Sequence, residues 1–204
     1  MSRVRTIILT TLFAASLGTS AVSQTQATNL EHPDNLKVSH RLGCIALEKV
    51  RNSYTPADIS RAVTKCAERG KFEQAIQLFF VYSVYGYYDQ ERMVDTSAGN
   101  AIGALNLKTF RTLSAGQREG MAHAAQEFQD ASGALFKRTC DLVEKLGPPS
   151  YEPIYMAAHG LKSFKIVGEK VEYLTPSELS ELVKDVDAER LWNESLHEAN
   201  NCPR

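Results

Sequence analysis

The stretch from Ala67 to Leu107, AERGKFEQAIQLFFVYSVYGYYDQERMVDTSAGNAIGALNL, decides how the chain is read. It carries the densest run of aromatic residues in the sequence, Phe72, Phe79, Phe80, Tyr82, Tyr85, Tyr87 and Tyr88, and opens behind a turn glycine, Gly70. Phe72, Ala75, Ile76, Phe79 and Phe80 recur at helical spacing on one broad face, which predicts a buried helix and makes this stretch the central helical pair.

Upstream, Arg3 and Arg5 precede an apolar or small run from Thr6 to Gly18 and then Ala21-Val22-Ser23. A charged start, a short apolar core and small residues before a cut predict a secretory signal peptide over 1–23. The run is 13 residues long, short of the roughly 20 that span a bilayer, so no membrane anchor is expected. Cleavage leaves 204 − 23 = 181 residues, the size of a single domain, 24–204. Losing two arginines from 23 basic and 24 acidic residues gives a charge of 21 − 24 = −3. That balance offers no footprint for nucleic acid or anionic lipid and leaves proteins and small molecules as partner classes.

Cys44, Cys66, Cys140 and Cys202 are an even set in a chain expected to reach an oxidising compartment, so two disulfides are predicted. No Cys-x-x-Cys spacing is present, which argues against a redox motif or a zinc site. Leu36, His40, Cys44, Leu47 and Val50 fall on one helical face, predicting a first helix over 36–50. Thr55-Pro56-Ala57-Asp58 reads as an N-cap, a proline at the first helical position and an acid in the first turn, with Gly70 beyond the helix end. Two helices joined by so short a link should pack antiparallel. That brings Cys44 near Cys66, and the remaining pair is Cys140–Cys202.

Gly70, Phe72, Ala75 and Phe79 resemble the turn, aromatic, alanine and aromatic positions at which a tetratricopeptide repeat enters and packs its second helix. The likeness covers Gly70 to Phe79, lacks the closing proline and has no second copy 34 residues away. Further on, Asp89, Arg92 and Asp95 stand at i, i+3 and i+6, a carboxylate–guanidinium–carboxylate ladder on a helix. A salt bridge is the ordinary meaning of that spacing. A recognition role is the other, because tyrosine and arginine are enriched at binding hot spots and Tyr85, Tyr87 and Tyr88 adjoin the ladder.

Ser114 and Gln117 form a capping box, and Met121, Ala125, Phe128, Ser132, Leu135, Thr139, Leu142 and Leu146 continue a helical stripe to Gly147-Pro148-Pro149. Pro153 to Gly160 predicts a short helix with Tyr155 and His159 on one face. Two β-type runs around Gly168-Glu169 predict a small hairpin over 163–174, which should lie against the helices. Thr175-Pro176-Ser177-Glu178 starts a last helix to about Ala199 that buries Leu179, Leu182, Val183, Val186 and Trp192. The fold class expected is mainly α, a bundle of about five to seven helices with one small β-hairpin.

No nucleophile elbow, H-E-x-x-H, phosphate loop or dinucleotide fingerprint occurs. No catalytic residue, metal or cofactor is therefore nominated. The general character of the chain is similar to small exported bacterial proteins that act as periplasmic immunity factors against secreted toxins, including type VI secretion effectors. That resemblance implies a periplasmic, protein-binding role with a toxin as partner. The candidate protein-binding residues are Tyr85, Tyr87, Tyr88, Asp89, Arg92, Asp95, Tyr151, Tyr155 and His159. An envelope adaptor or chaperone, and a periplasmic enzyme using His159, are the alternatives.

Overall fold

The structure is a computed structural model that describes residues 30–129 and 133–204. The expected signal peptide, the start at Gln24 and Ser132 lie outside them. Thr55 caps α1 (Pro56–Ala67) with a full capping box: its hydroxyl accepts from the Asp58 N–H, and the Asp58 carboxylate accepts from the Thr55 N–H. Gly70 takes φ 68°, the left-handed turn that glycine enters without a Cβ penalty. This short link leads directly into α2 (Phe72–Glu91).

α2 is the axis of the fold. Ala75, Leu78, Val81, Tyr82, Val84 and Tyr85 are all at most 1% exposed, and buried residues surround the helix, as expected of an element enclosed by others. α1, α4 (Ala115–Phe128) and the C-terminal turn (Glu194–Glu198) pack on it. α3 (Asn100–Arg111) follows a 3-10 turn over Thr96–Gly99 and packs on α1. Phe80 of α2, Phe128 of α4 (Ala115–Phe128) and Phe136 of α5 (Ala134–Leu146) meet at centroid distances of 5.3–5.6 Å, the tilted and edge-on arrangement that aromatic rings prefer.

The mainly helical class with one hairpin is observed. Five helices have 12 or more residues, and α6 (Ile154–Ala157), α7 (Pro176–Ser180) and α8 (Ala188–Asn193) are short. The only sheet among the described residues pairs β1 (Phe164–Val167) with β2 (Lys170–Tyr173), Ile166 opposite Val171. Both expected disulfides are formed, Cys44–Cys66 and Cys140–Cys202, with Cα separations of 4.6 and 5.6 Å.

Several expectations need correction. Residues 36–50 contain no α-helix, only a 3-10 turn at Leu47–Lys49. The backbone N–H groups of Ser39 and His40 instead donate to Asp58 Oδ1, each at 2.7 Å, and Leu36 takes φ 49°. A buried carboxylate at the α1 N-terminus thus captures the His40 donor, which a helix from Leu36 would have bonded internally, together with the Ser39 donor, which such a helix would have left free. The Cys44–Cys66 bridge consequently joins a loop to α1, not two helices.

The stripe from Ser114 to Leu146 is two helices, with Gly133 as the N-cap of α5. The last helix is also interrupted. The N–H of Val94 donates to Leu182 O and that of Lys184 to Arg92 O, so residues 182–184 run as a bridge against 92–94. Asp187 then caps α8 through the Arg190 N–H. Leu179 and Trp192 are buried as expected, whereas Leu182, Val183 and Val186 are half-buried.

Candidate functional site

Asp89 lies in the last turn of α2 and is fully buried. The bend after Gly147-Pro148-Pro149 returns the chain across this end of α2, so that Tyr151 and, from α6, Tyr155 reach the same carboxylate oxygen. Their hydroxyls donate to Asp89 Oδ2 at 2.9 and 2.8 Å. Arg92 Nη2 donates to Oδ1 at 2.7 Å, and the guanidinium sits 4.8 Å from the centroid of the Tyr88 ring. Two phenols and one guanidinium therefore satisfy a carboxylate that would cost several kcal/mol to bury alone.

Burial holds the Asp89 carboxyl above its ordinary range, opposed by the charge and hydrogen bond of Arg92 and by the two tyrosines. Burial, and then the nearby Asp89 charge, push Tyr151 and Tyr155 well above the usual phenol range. They remain protonated donors, suited to holding the carboxylate and not to acting as nucleophiles. Tyr85 donates to Gly147 O at 3.0 Å and packs edge-on against Tyr151 and Trp192. The cluster is a clasp that fastens residues 147–155 to α2.

The structure thus brings together most of the residues nominated as a binding surface, but inside the protein. Tyr85, Tyr88, Asp89, Asp95 and Tyr155 are buried, Tyr151, Arg92 and His159 half-buried, and Tyr87 alone stands exposed, at 36%. A tyrosine at helical spacing serves a core as well as an interface, and here α2 is enclosed. The ladder is also divided. Asp95 lies beyond α2, where its Oδ1 accepts from the Ser97 N–H and hydroxyl and its Oδ2 from the Lys162 N–H. Burial pushes the Asp95 carboxyl up, but these donors and the Lys162 charge bring it below its usual value. Gly160 permits this second clasp, since a Cβ there would run into Asp95 Oδ2. Tyr155 and His159 do not share a site: His159 Nδ1 lies 2.8 Å from Asn35 Oδ1, and burial lowers its pKa.

What the sequence reading missed is on the outside. The β1–β2 hairpin does not lie against the helices. Ile166 is 76% exposed, and Val167, Val171 and Tyr173 are exposed too, with Leu161 beside the strand at 72%. The cross-strand partners Ile166 and Val171, and Phe164 and Tyr173, share one face. The Leu174 N–H donates to Ser163 O. With strict alternation of bonded and non-bonded pairs, this turns the main-chain groups of Phe164, Ile166, Val171 and Tyr173 outward, toward open strand edges. The hairpin is tethered near its base by the Lys165–Glu178 ion pair at 2.7 Å and by His32, whose Nε2 lies 2.8 Å from Leu174 O. The alternating apolar residues were legible, but which face of a hairpin meets the body is not set by the period of two.

Among the described residues no group of three or more His, Cys, Asp or Glu is placed to hold a metal ion, and no helix is long and apolar enough to cross a membrane. No family model matches the chain, nor does any curated protein or solved structure.

Proposed function

We propose that this chain is an exported protein that works by binding another protein, and that its partner is a secreted antibacterial toxin of the type VI effector kind, which it neutralises in the periplasm. The observation that carries the binding role is the hairpin. Two strands without further cover are marginal in water, yet this pair is held outward by its base and presents Ile166, Val171 and Tyr173 on one face. Open, apolar strand edges are an aggregation liability that folded proteins usually blunt. Retaining one is consistent with a partner strand or surface that covers it. Two disulfides and the charged, apolar start of the chain support export.

The toxin as partner rests on the resemblance to immunity factors. The short tetratricopeptide-like fragment, which falls on the α1–α2 turn and the first two turns of α2, supports a binding role of the same general kind. The test is capture from periplasmic extract with the wild-type chain and with Ile166→Asp, followed by expression of the captured protein in cells with and without this chain. One partner that is toxic alone, harmless beside the wild type and lost with Ile166→Asp supports the reading. Several dissimilar partners would favour an envelope adaptor instead.

A further inference from the structure

The open edge of β2 has a self-complementary chemistry. Val171 and Tyr173 turn their main-chain N–H and C=O groups outward, and among the described backbone hydrogen bonds none outside the hairpin ladder engages either residue. Their side chains are exposed on the apolar face. Lys170 and Glu172 stand exposed on the other face, and neither belongs to any of the described ion pairs. β1 differs, because its Lys165 is committed to Glu178.

A lysine on a strand edge ordinarily opposes pairing with another strand. A second copy of β2 answers it in one register. With an antiparallel partner related by a two-fold axis through Val171, the two Val171 residues face each other, and Lys170 of each copy faces Glu172 of the other. Val171 then forms the hydrogen-bonded pair that its outward groups require. The flanking lysine–glutamate pairs are of the non-hydrogen-bonded kind, in which side chains approach more closely. Moving the axis to Lys170 or to Glu172 sets like charge on like charge and offers the partner main-chain groups that point into the hairpin. Moving it to Tyr173 sets Glu172 opposite Leu174, whose carbonyl oxygen lies 2.8 Å from His32 Nε2. On β1 the corresponding axis, at Ile166, sets Lys165 opposite Val167 with no charge to answer it.

We propose that β2 pairs with β2 of a second copy of this chain, antiparallel about Val171, to form a four-stranded sheet across a two-fold axis. The two Lys170–Glu172 pairs select the register, and the two Val171 side chains meet on the apolar face. β1 and Ile166 lie at the outer edges of that sheet and stay open to a partner protein, so the pairing does not depend on the binding role above. Contact between two strand edges is small, and small interfaces are transient. The expected state is therefore a concentration-dependent monomer–dimer equilibrium.

Sedimentation equilibrium of the full exported chain from about 1 μM to about 1 mM reads the association, and amide hydrogen exchange locates it. The Val171 amide is expected to gain protection as the dimer forms, and the Ile166 amide is not. Lys170→Glu and Glu172→Lys each turn two attractive pairs into two repulsive ones and should weaken self-association at least about tenfold. Mixed together, these two variant chains regain both attractive pairs and should associate with each other like the wild type, which also shows that both are folded. Ile166→Asp should self-associate like the wild type, which separates this pairing from the binding of a partner protein. The proposal is overturned by a chain that stays monomeric to about 1 mM, by charge variants that self-associate undiminished, or by a mixture no tighter than its components. Protection of Val171 that does not vary with concentration also overturns it, since something other than a second copy then covers the edge.

Discussion

Replacing Arg92 by alanine removes the cation bonded to Asp89, a carboxylate that is fully buried. Breaking a buried pair from one side costs about 3–5 kcal/mol, because the remaining charge is stranded. Asp89 keeps its two tyrosine donors and can escape by taking up a proton, so the lower end, about 3 kcal/mol, is expected. Against a total stability of about 5–15 kcal/mol, that is a large fraction. For a chain of this size it lowers the melting temperature by roughly 6–12 °C.

The sign of the pH dependence is also fixed. Burial raises the Asp89 pKa above its unfolded value, so the native state holds the proton more tightly. Stability from this group is full below the unfolded value and falls as pH rises through the folded one. Loss of Arg92 removes the charge that opposes burial, so the folded value climbs further and the deficit of Arg92→Ala grows as pH rises above the ordinary carboxyl range. Urea unfolding of wild type and variant across that range measures it, read at constant m-value. A deficit under about 1 kcal/mol, or one that does not change with pH, would refute the clasp.

Three further outcomes follow from the same packing. The 62-residue separation of Cys140 and Cys202 and the 22-residue separation of Cys44 and Cys66 predict losses of about 4 and about 3 kcal/mol when each pair is changed to serine, read by urea unfolding. Gly160→Ala drives a Cβ into Asp95 and should cost about 1–3 kcal/mol, whereas Gly116→Ala, with nothing near its Cβ, should not destabilise. The Asp95 pKa is lowered on folding, so its stabilisation is present above the ordinary carboxyl value and lost as pH falls through the folded one. Asp95→Asn should therefore flatten that part of the acid limb in a pH series of melting curves.

What could be read from the sequence divides along a physical line. α1 was legible at both ends because Thr55, Pro56, Asp58 and Gly70 act locally, through caps and a left-handed turn. The segment 36–50 misled because its helical period was accidental and the competing interaction, Asp58 accepting from Ser39 and His40, spans some 18 residues of chain. The pairing of Asp89 with Arg92 was visible as an i, i+3 spacing. That both lie inside, under Tyr151 and Tyr155, was not, since these side chains suit a core and an interface equally well. The hairpin's position came from its turn and its β-type runs, but its outward placement depends on contacts at its base, with Glu178 and with His32, which no local pattern encodes.

The proposed binding role rests on the outward apolar face of the hairpin, and one measurement tests it most directly. The affinity of the captured partner is compared for wild type, Ile166→Asp and Leu107→Asp, the last a control at an exposed leucine outside the hairpin, with melting temperature taken on the same preparations. Loss of an interface anchor costs about 2 kcal/mol or more, roughly 30-fold in affinity. The account predicts that loss for Ile166→Asp alone, with all three proteins melting together. Equal affinity for all three, with the partner still bound when Ile166 is charged, would contradict it.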